Sequence, residues 1–199
     1  MRLALSAALV AAVLTLTACD PEASEPGGTN VDVDTPALVK LKQQTDVADC
    51  APGDATDGGL PDLTLPCLGG GPDVDLTSLQ GPMVINLWQA FCGPCRKEMP
   101  ALQDFYEQYG DQVPVLGIDF ADQYPGSALE EAGERGVTYP SLADPGGDLM
   151  DTDQFAKIRG MPMMYFIDAD GAIAYAQPGG VDSADEVADL VRQHLEVAL

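Results

Sequence analysis

Two cysteines separated by two residues, Cys92-Gly93-Pro94-Cys95, carry the densest chemical signal in the chain. At that spacing the sulfurs can close a small disulfide or open to a dithiol with little backbone movement. If the pair begins a helix, the free amides and positive dipole end of the first turn stabilise a thiolate on the first sulfur. Only a thiolate attacks a disulfide, so Cys92 is the expected nucleophile. Cys95, one turn deeper, is expected to resolve the resulting mixed disulfide by attacking Cys92. Pro94 suits the first turn and stiffens the link. Arg96 and Lys97 add positive charge, screened where it is exposed. An inert bridge is one alternative, although such bridges usually close longer loops with a larger entropy gain. A zinc site is another, and it would have to recruit Cys50 and Cys67, which lie far apart with no second CxxC. No histidine follows Cys95, so the pair is no haem-attachment motif, and the single histidine, His194, leaves no Ser-His-Asp reading.

Such a pair needs a rigid strand before it and a helix after it. Residues 83–88 are a continuous apolar run, as expected of a strand buried on both faces. Beyond Cys95, Met99, Leu102, Phe105 and Tyr109 share one helical face, with Pro100 expected to bend or break the hydrogen-bond ladder. Upstream, Thr35-Pro36 opens a short amphipathic helix over 37–44, and residues 60–68 alternate as a half-buried strand would. Downstream, strands are expected over 113–120, 163–167 and 172–176, the last two joined by a turn at Asp170-Gly171. Helices are expected over 127–135 and 147–159, each ended by glycine, and over 184–197 behind the cap Ser183. This order implies a mixed sheet covered by helices on both faces, an α/β domain with an extra N-terminal hairpin.

The segment Asn86-Leu87-Trp88-Gln89-Ala90-Phe91-Cys92-Gly93-Pro94-Cys95-Arg96-Lys97-Glu98-Met99-Pro100 resembles the active-site segment of membrane-tethered, extracytoplasmic thioredoxin-like proteins, the TlpA/ResA family. The likeness runs from about residue 60 to the C-terminus and includes a central helical insert around 121–136. It implies a thioredoxin-like fold, thiol-disulfide oxidoreductase activity without a cofactor, and a cis bond before Pro162 that faces the CxxC. It also implies a substrate groove formed by Trp88, Phe91, Gly93, Pro94 and Met161, in which the backbone of Met161 pairs with an extended client. Cytosolic thioredoxins carry a buried aspartate where this chain has Asn86. Glu98, three residues after Cys95 on the same helix face, is the candidate to tune the Cys95 proton, the alternative being an exposed helix glutamate. Phe91 stands where many relatives have tryptophan, and Met163-Met164 where they often have threonines. These residues suggest an apolar groove, with core packing as the other reading of the methionines. The implied clients are disulfide-containing proteins such as apocytochromes, and the implied electron donor is a membrane thiol. A peroxidase would need a lone cysteine with threonine as its partner residue.

The termini and composition set the compartment. Arg2 followed by an uncharged run and Leu16-Thr17-Ala18-Cys19 reads as a signal over 1–18 ending in a lipobox, with Cys19 as lipid anchor; an ordinary signal peptide is the alternative. Residues 19–34 read as an acidic tether, and 35–199 as the exported domain, a monomer on the outer face of a bacterial cytoplasmic membrane. Cys50 and Cys67 are expected to bridge in that oxidising compartment, on the order of 3 kcal/mol of stabilisation, with a second redox pair as the rival reading. Nine Lys and Arg against 32 Asp and Glu give a formal charge of −23, which argues against nucleic acid as partner and against adhesion to anionic lipid. At 46% hydrophobic residues the chain can bury a core. An oxidative-folding enzyme on the same scaffold and a tethered protein with an inert bridge are the competing functional classes.

Overall fold

The computed structural model describes residues 31–56 and 58–199. The expected signal, the lipidation site Cys19 and most of the tether lie outside these residues. Helix α1 (Pro36–Thr45) begins as its sequence dictates, with the Thr35 hydroxyl accepting from the Leu38 amide at 3.3 Å and proline in the first turn. A two-stranded antiparallel hairpin follows, β1 (Thr64–Leu65) with β2 (Val74–Asp75). The strand expected over 60–68 is therefore much shorter, because Pro61 and Pro66 remove ladder donors from it. Residues 66–68 instead lie along the edge of a larger sheet. There Ala143 donates to the Pro66 carbonyl at 2.9 Å and Leu68 donates to the Ser141 carbonyl at 2.9 Å.

That sheet has five strands in the order β5-β4-β3-β6-β7. Strands β3 (Met83–Trp88), β4 (Val115–Phe120) and β5 (Ser141–Asp144) are parallel neighbours, whereas β6 (Met163–Ile167) pairs antiparallel with β3 and with β7 (Ile173–Pro178). The parallel strands are connected through α2 (Gly93–Tyr109) and α3 (Pro125–Glu134), and α4 (Ala184–Leu195) closes the chain behind the Ser183 cap. Both faces are covered, by different material. Val84, Trp88, Met164 and Phe166 point to a core shared with α2, α3 and α4, on which Leu38 and Leu41 of α1 also pack. Met83, Ile85, Leu87, Tyr165 and Ile167 point the other way, onto the hairpin and two 3-10 helices, Leu76–Ser78 and Asp148–Asp151.

One expectation fails for a local reason. The helix expected over 147–159 is one 3-10 turn followed by irregular turns. Asp144 takes the Asp148 and Leu149 amides at 2.8 and 3.1 Å, and Thr152 bonds back to the Leu149 carbonyl at 2.7 Å, so side chains compete with a helical ladder. Leu149, Phe155 and Ile158 still bury against the sheet. Helix α2 continues through Pro100, which removes one bond from its ladder without ending it. Pro100 is exposed, so the carbonyl deprived of its donor lies on the solvent side.

Trp88 ends β3 and is only 1% exposed. Its indole donates to the Ser141 hydroxyl on β5 at 3.1 Å, passing over Gly117 of β4, where a Cβ would stand 2.7 Å from that hydroxyl. Trp88 is therefore a core residue and not part of a substrate groove, which corrects the sequence expectation. Ser141→Ala leaves the buried indole N–H without a partner. The expected loss is about 1–3 kcal/mol in urea unfolding; a loss under about 0.5 kcal/mol would show that the indole finds another acceptor.

Candidate active site

Strand β3 delivers Gln89, Ala90 and Phe91 to the start of α2, and three side chains fix that turn. Gln89 Nε2 donates to the Phe120 carbonyl at 2.9 Å; Asp122 accepts the Ala90 amide at 2.7 Å and the Tyr124 amide at 2.9 Å. Arg96 donates through Nε to the Ala90 carbonyl at 2.9 Å and pairs with Glu131 of α3 at 3.3 Å. Its charge thus braces the loop against the insert rather than standing free beside the cysteines. Neither Asp122 nor Arg96 was expected to matter here, although Asp122-Gln123-Tyr124-Pro125 is a readable side-chain turn before a proline-led helix.

Cys92 is the N-cap of α2, and its Sγ accepts the Cys95 amide at 3.2 Å. The two cysteines are disulfide-bonded, Cα atoms 5.2 Å apart. Phe91, Gly93 and Pro94 are exposed, Cys92 is partly exposed, and Cys95 is fully buried. A Cβ at Gly93 would meet nothing within 4 Å, so the approach to Cys92 is open. The Met161–Pro162 bond is cis, as is Gly81–Pro82. Pro162 and Glu98 come together beneath this surface: a Cβ at Gly180 would stand 3.4 Å from Glu98 Oε2 and 3.7 Å from Pro162 Cγ. Met161 is half-buried between the two halves of the core. Met163 and Met164 are buried on opposite faces of the sheet, so they are core residues and not groove residues.

Glu98 is no surface glutamate. It is fully buried, and burial pushes its carboxyl up to about 8. Asn86 lies on the strand beneath, close enough to Glu98 and to the Tyr139 hydroxyl to influence both, yet none of these polar atoms completes a hydrogen bond. Burial, then the Glu98 charge, raises the Tyr139 hydroxyl. Asp119, inside the apolar run of β4, is likewise buried and unpartnered, and burial together with the Asp122 and Asp144 carboxylates holds it well above the usual carboxylate range.

Beside the cysteines, Phe91 and Tyr124 are 64% and 61% exposed and meet edge to face at 5.5 Å over a cavity of about 250 Å³ lined also by Gln89, Ala121, Asp122 and Gln123. Cys50 and Cys67 form a second disulfide, so they do not join the CxxC as metal ligands. Among the described residues no group of three or more His, Cys, Asp or Glu side chains is placed to hold a metal, and no helix is long and apolar enough to cross a membrane. His194 stacks on Tyr175 at 3.7 Å, away from the cysteines.

The family model described as AhpC/TSA matches residues 58–176. The thiol-disulfide oxidoreductase ResA of Oceanobacillus iheyensis is 32% identical over 104 residues, 50% of this chain and 51% of that protein. The chain thus spans about half the length of this curated relative. A putative protein disulfide isomerase from Bacteroides thetaiotaomicron superposes with a TM-score of 0.55 at 30% identity, covering 72% of this chain and 92% of that one. A thioredoxin-like protein from Porphyromonas gingivalis gives 0.56 at 25% identity, covering 71% and 94%. The fold is thioredoxin-like.

With its carboxyl raised to about 8, Glu98 keeps its proton in the folded chain at pH values where the unfolded chain has lost it. Folding stability therefore falls as pH rises from about 5 to about 8, by up to about 1.4 kcal/mol per pH unit for this group. Glu98→Gln removes that contribution, and its urea-unfolding stability should decline less steeply than wild type across the same window. Parallel curves would show that the carboxyl is ionised in the folded protein.

Proposed function

The chain belongs to the AhpC/TSA family, and from that premise we propose that it is a thiol-disulfide oxidoreductase working through Cys92 and Cys95. The observation that carries this reading is the asymmetry of the pair: Cys92 caps a helix at an open surface while Cys95 is sealed beneath it. In the reduced protein the Cys92 thiolate attacks one sulfur of a client disulfide, and the other client sulfur leaves and takes a proton. Cys95, having lost its proton, attacks Cys92 Sγ and expels the remaining client sulfur as a thiol. Two electrons pass to the client, and the Cys92–Cys95 bridge forms. Glu98 lies one turn below Cys95 with a carboxyl that burial pushes up to about 8, so it holds a proton at neutral pH and is the group placed to exchange one with Cys95. The exposed residues Phe91, Gly93 and Pro94, with half-buried Met161, are the docking face for the client chain.

We propose reduction as the physiological direction. The Cys-Gly-Pro-Cys sequence supports it, since thioredoxins sit near −270 mV and the strong oxidant DsbA near −120 mV. The leader with its lipobox at Cys19 supports an exported, lipid-anchored protein on the outer face of the cytoplasmic membrane, fed by a membrane thiol donor. The 32% identity to a thiol-disulfide oxidoreductase supports clients that carry disulfides, and the resemblance of the CxxC segment to membrane-tethered extracytoplasmic proteins supports exported ones, apocytochromes included.

Cys95→Ser should accumulate mixed disulfides between Cys92 and exported clients, visible as thiol-sensitive adducts, while Cys92→Ser should form none and lose insulin reduction. Adducts equally abundant on Cys92→Ser would defeat the assignment of the nucleophile. The Cys92–Cys95 couple should titrate well below −180 mV, and a midpoint above that value would make the protein an oxidant of the protein-disulfide-isomerase kind. Glu98→Gln should alter the pH dependence of Cys95 thiol reactivity; an unchanged titration would remove Glu98 from the mechanism.

A further inference from the structure

The second cysteine pair has surroundings that a purely mechanical bridge does not require. Cys50 and Cys67 are bonded with Cα atoms 5.7 Å apart and are 3% and 1% exposed. Lys42 of α1 is buried against them at 5% exposure, the one basic side chain among the buried polar residues described. Its Nζ lies 3.2 Å from Cys67 Sγ, donates to the Gly70 carbonyl at 2.7 Å and pairs with Asp49 at 3.1 Å. The Cys50 amide points at the same sulfur from 3.2 Å. The other sulfur is the one nearer an acceptor, since the Ser141 carbonyl oxygen lies 3.2 Å from Cys50 Sγ and 3.8 Å from Cys67 Sγ.

A closed disulfide needs neither a counter-charge nor donors, and the buried ammonium has as its carboxylate partner only Asp49, whose side chain is 81% exposed. The two half-sites fit the reduced pair better. A carbonyl oxygen beside Cys50 accepts from an S–H group, whereas an ammonium and an amide beside Cys67 suit a thiolate. We propose that Cys50–Cys67 is a second, reversible redox couple whose reduced form is a Cys50 thiol and a Cys67 thiolate paired with Lys42. Its reductant is a thiol, either one dithiol or two molecules of a monothiol.

The reductant's thiolate attacks Cys50 Sγ, the S–S bond breaks, and the electron pair leaves on Cys67 Sγ beside the ammonium. A second thiolate of the reductant then displaces Cys50 from the mixed disulfide. The Cys50 sulfur takes up a proton, the reductant ends as a disulfide, and two electrons have entered the bridge. Stabilising the leaving thiolate both speeds the attack and makes the couple easier to reduce. The described residues of the stretch 46–63, which holds Cys50, form no helix or strand, so local opening there uncovers its sulfur. A cavity of about 560 Å³ bounded by Lys42, Asp49 and the three glycines 69–71 lies alongside. This couple is independent of the chemistry proposed for Cys92 and Cys95.

The test uses the full chain, without denaturant, in glutathione buffers of graded thiol-to-disulfide ratio, followed by acid quenching, alkylation and peptide mass analysis. Peptide mapping reads the two bridges separately. Wild type should become alkylated at Cys50 and Cys67 within the glutathione range, which tightly held structural bridges resist. Lys42→Met should need about a tenfold more reducing ratio for half-opening, equivalent to about 30 mV for a two-electron couple, and Lys42→Arg should recover most of that shift. If Lys42→Met does not fold, Lys42→Gln carries the same expectation. A bridge that opens only after the chain is unfolded, or an uncharged variant with the wild-type midpoint, would overturn the proposal.

Discussion

Everything at the candidate site depends on where one sulfur meets one helix. Cys92 Sγ takes the place of the capping oxygen that a serine or aspartate supplies at most helix starts, accepting the Cys95 amide at 3.2 Å. A neutral sulfur is a weak acceptor, and a thiolate is a strong one, so the first turn of α2 favours the ionised form of the reduced residue. The position of that turn is set from outside the helix. Strand β3 is buried along its whole length and cannot shift, while the Gln89, Asp122 and Arg96 side chains hold Gln89 and Ala90 at the start of the link between strand and helix. The central insert contributes both Asp122 and the Glu131 partner of Arg96, so it buttresses the nucleophile as well as enlarging the surface around it.

Below this turn the protein buries polar groups it leaves unsatisfied. Asn86, Glu98 and Tyr139 occupy the helix-facing side of the sheet without a completed hydrogen bond, against the usual rule for buried polar atoms. Such groups reduce stability, and one of them, Glu98, stands one helical turn from Cys95 and shares with Pro162 the neighbourhood of Gly180. The two bridges contrast in the same terms. Cys92–Cys95 reaches the surface and uses backbone dipoles, whereas Cys50–Cys67 is sealed and faces a full ammonium charge.

Residue spacing foretold the parts of the fold that rest on local rules. Strand β3, the N-cap of α2, β6, the turn at Gly171 and the caps of α1 and α4 follow from apolar runs, capping side chains and glycine, and the structure places them as expected. Strand β5 was not anticipated, because Ser141-Leu142-Ala143-Asp144 has no β-branched residue and becomes a strand only by pairing with β4. The helix expected over 147–159 was a misreading of buried apolar residues in a stretch whose first amides bond to the Asp144 carboxylate and whose Thr152 bonds back to the Leu149 carbonyl. At the site, Cys92, Cys95 and the cis bond at Pro162 were foreseeable from motif and resemblance. The burial of Glu98 was not, since a one-dimensional pattern does not say which face of a helix meets a neighbouring strand, whereas the burial of Trp88 follows from the apolar run and overrides the groove role that the resemblance implied. Asp119 stood in plain view inside an apolar run, an interruption that only its burial made meaningful.

The account is tested most directly by the pH dependence of alkylation at Cys92 in the reduced, folded protein, followed by mass analysis of its peptide under iodoacetamide. A helix-capped thiolate should titrate at least about one pH unit below the 8.5 of a free cysteine and react well ahead of Cys95. A midpoint at or above the free value, or a Cys92 that does not react until the chain unfolds, would contradict it.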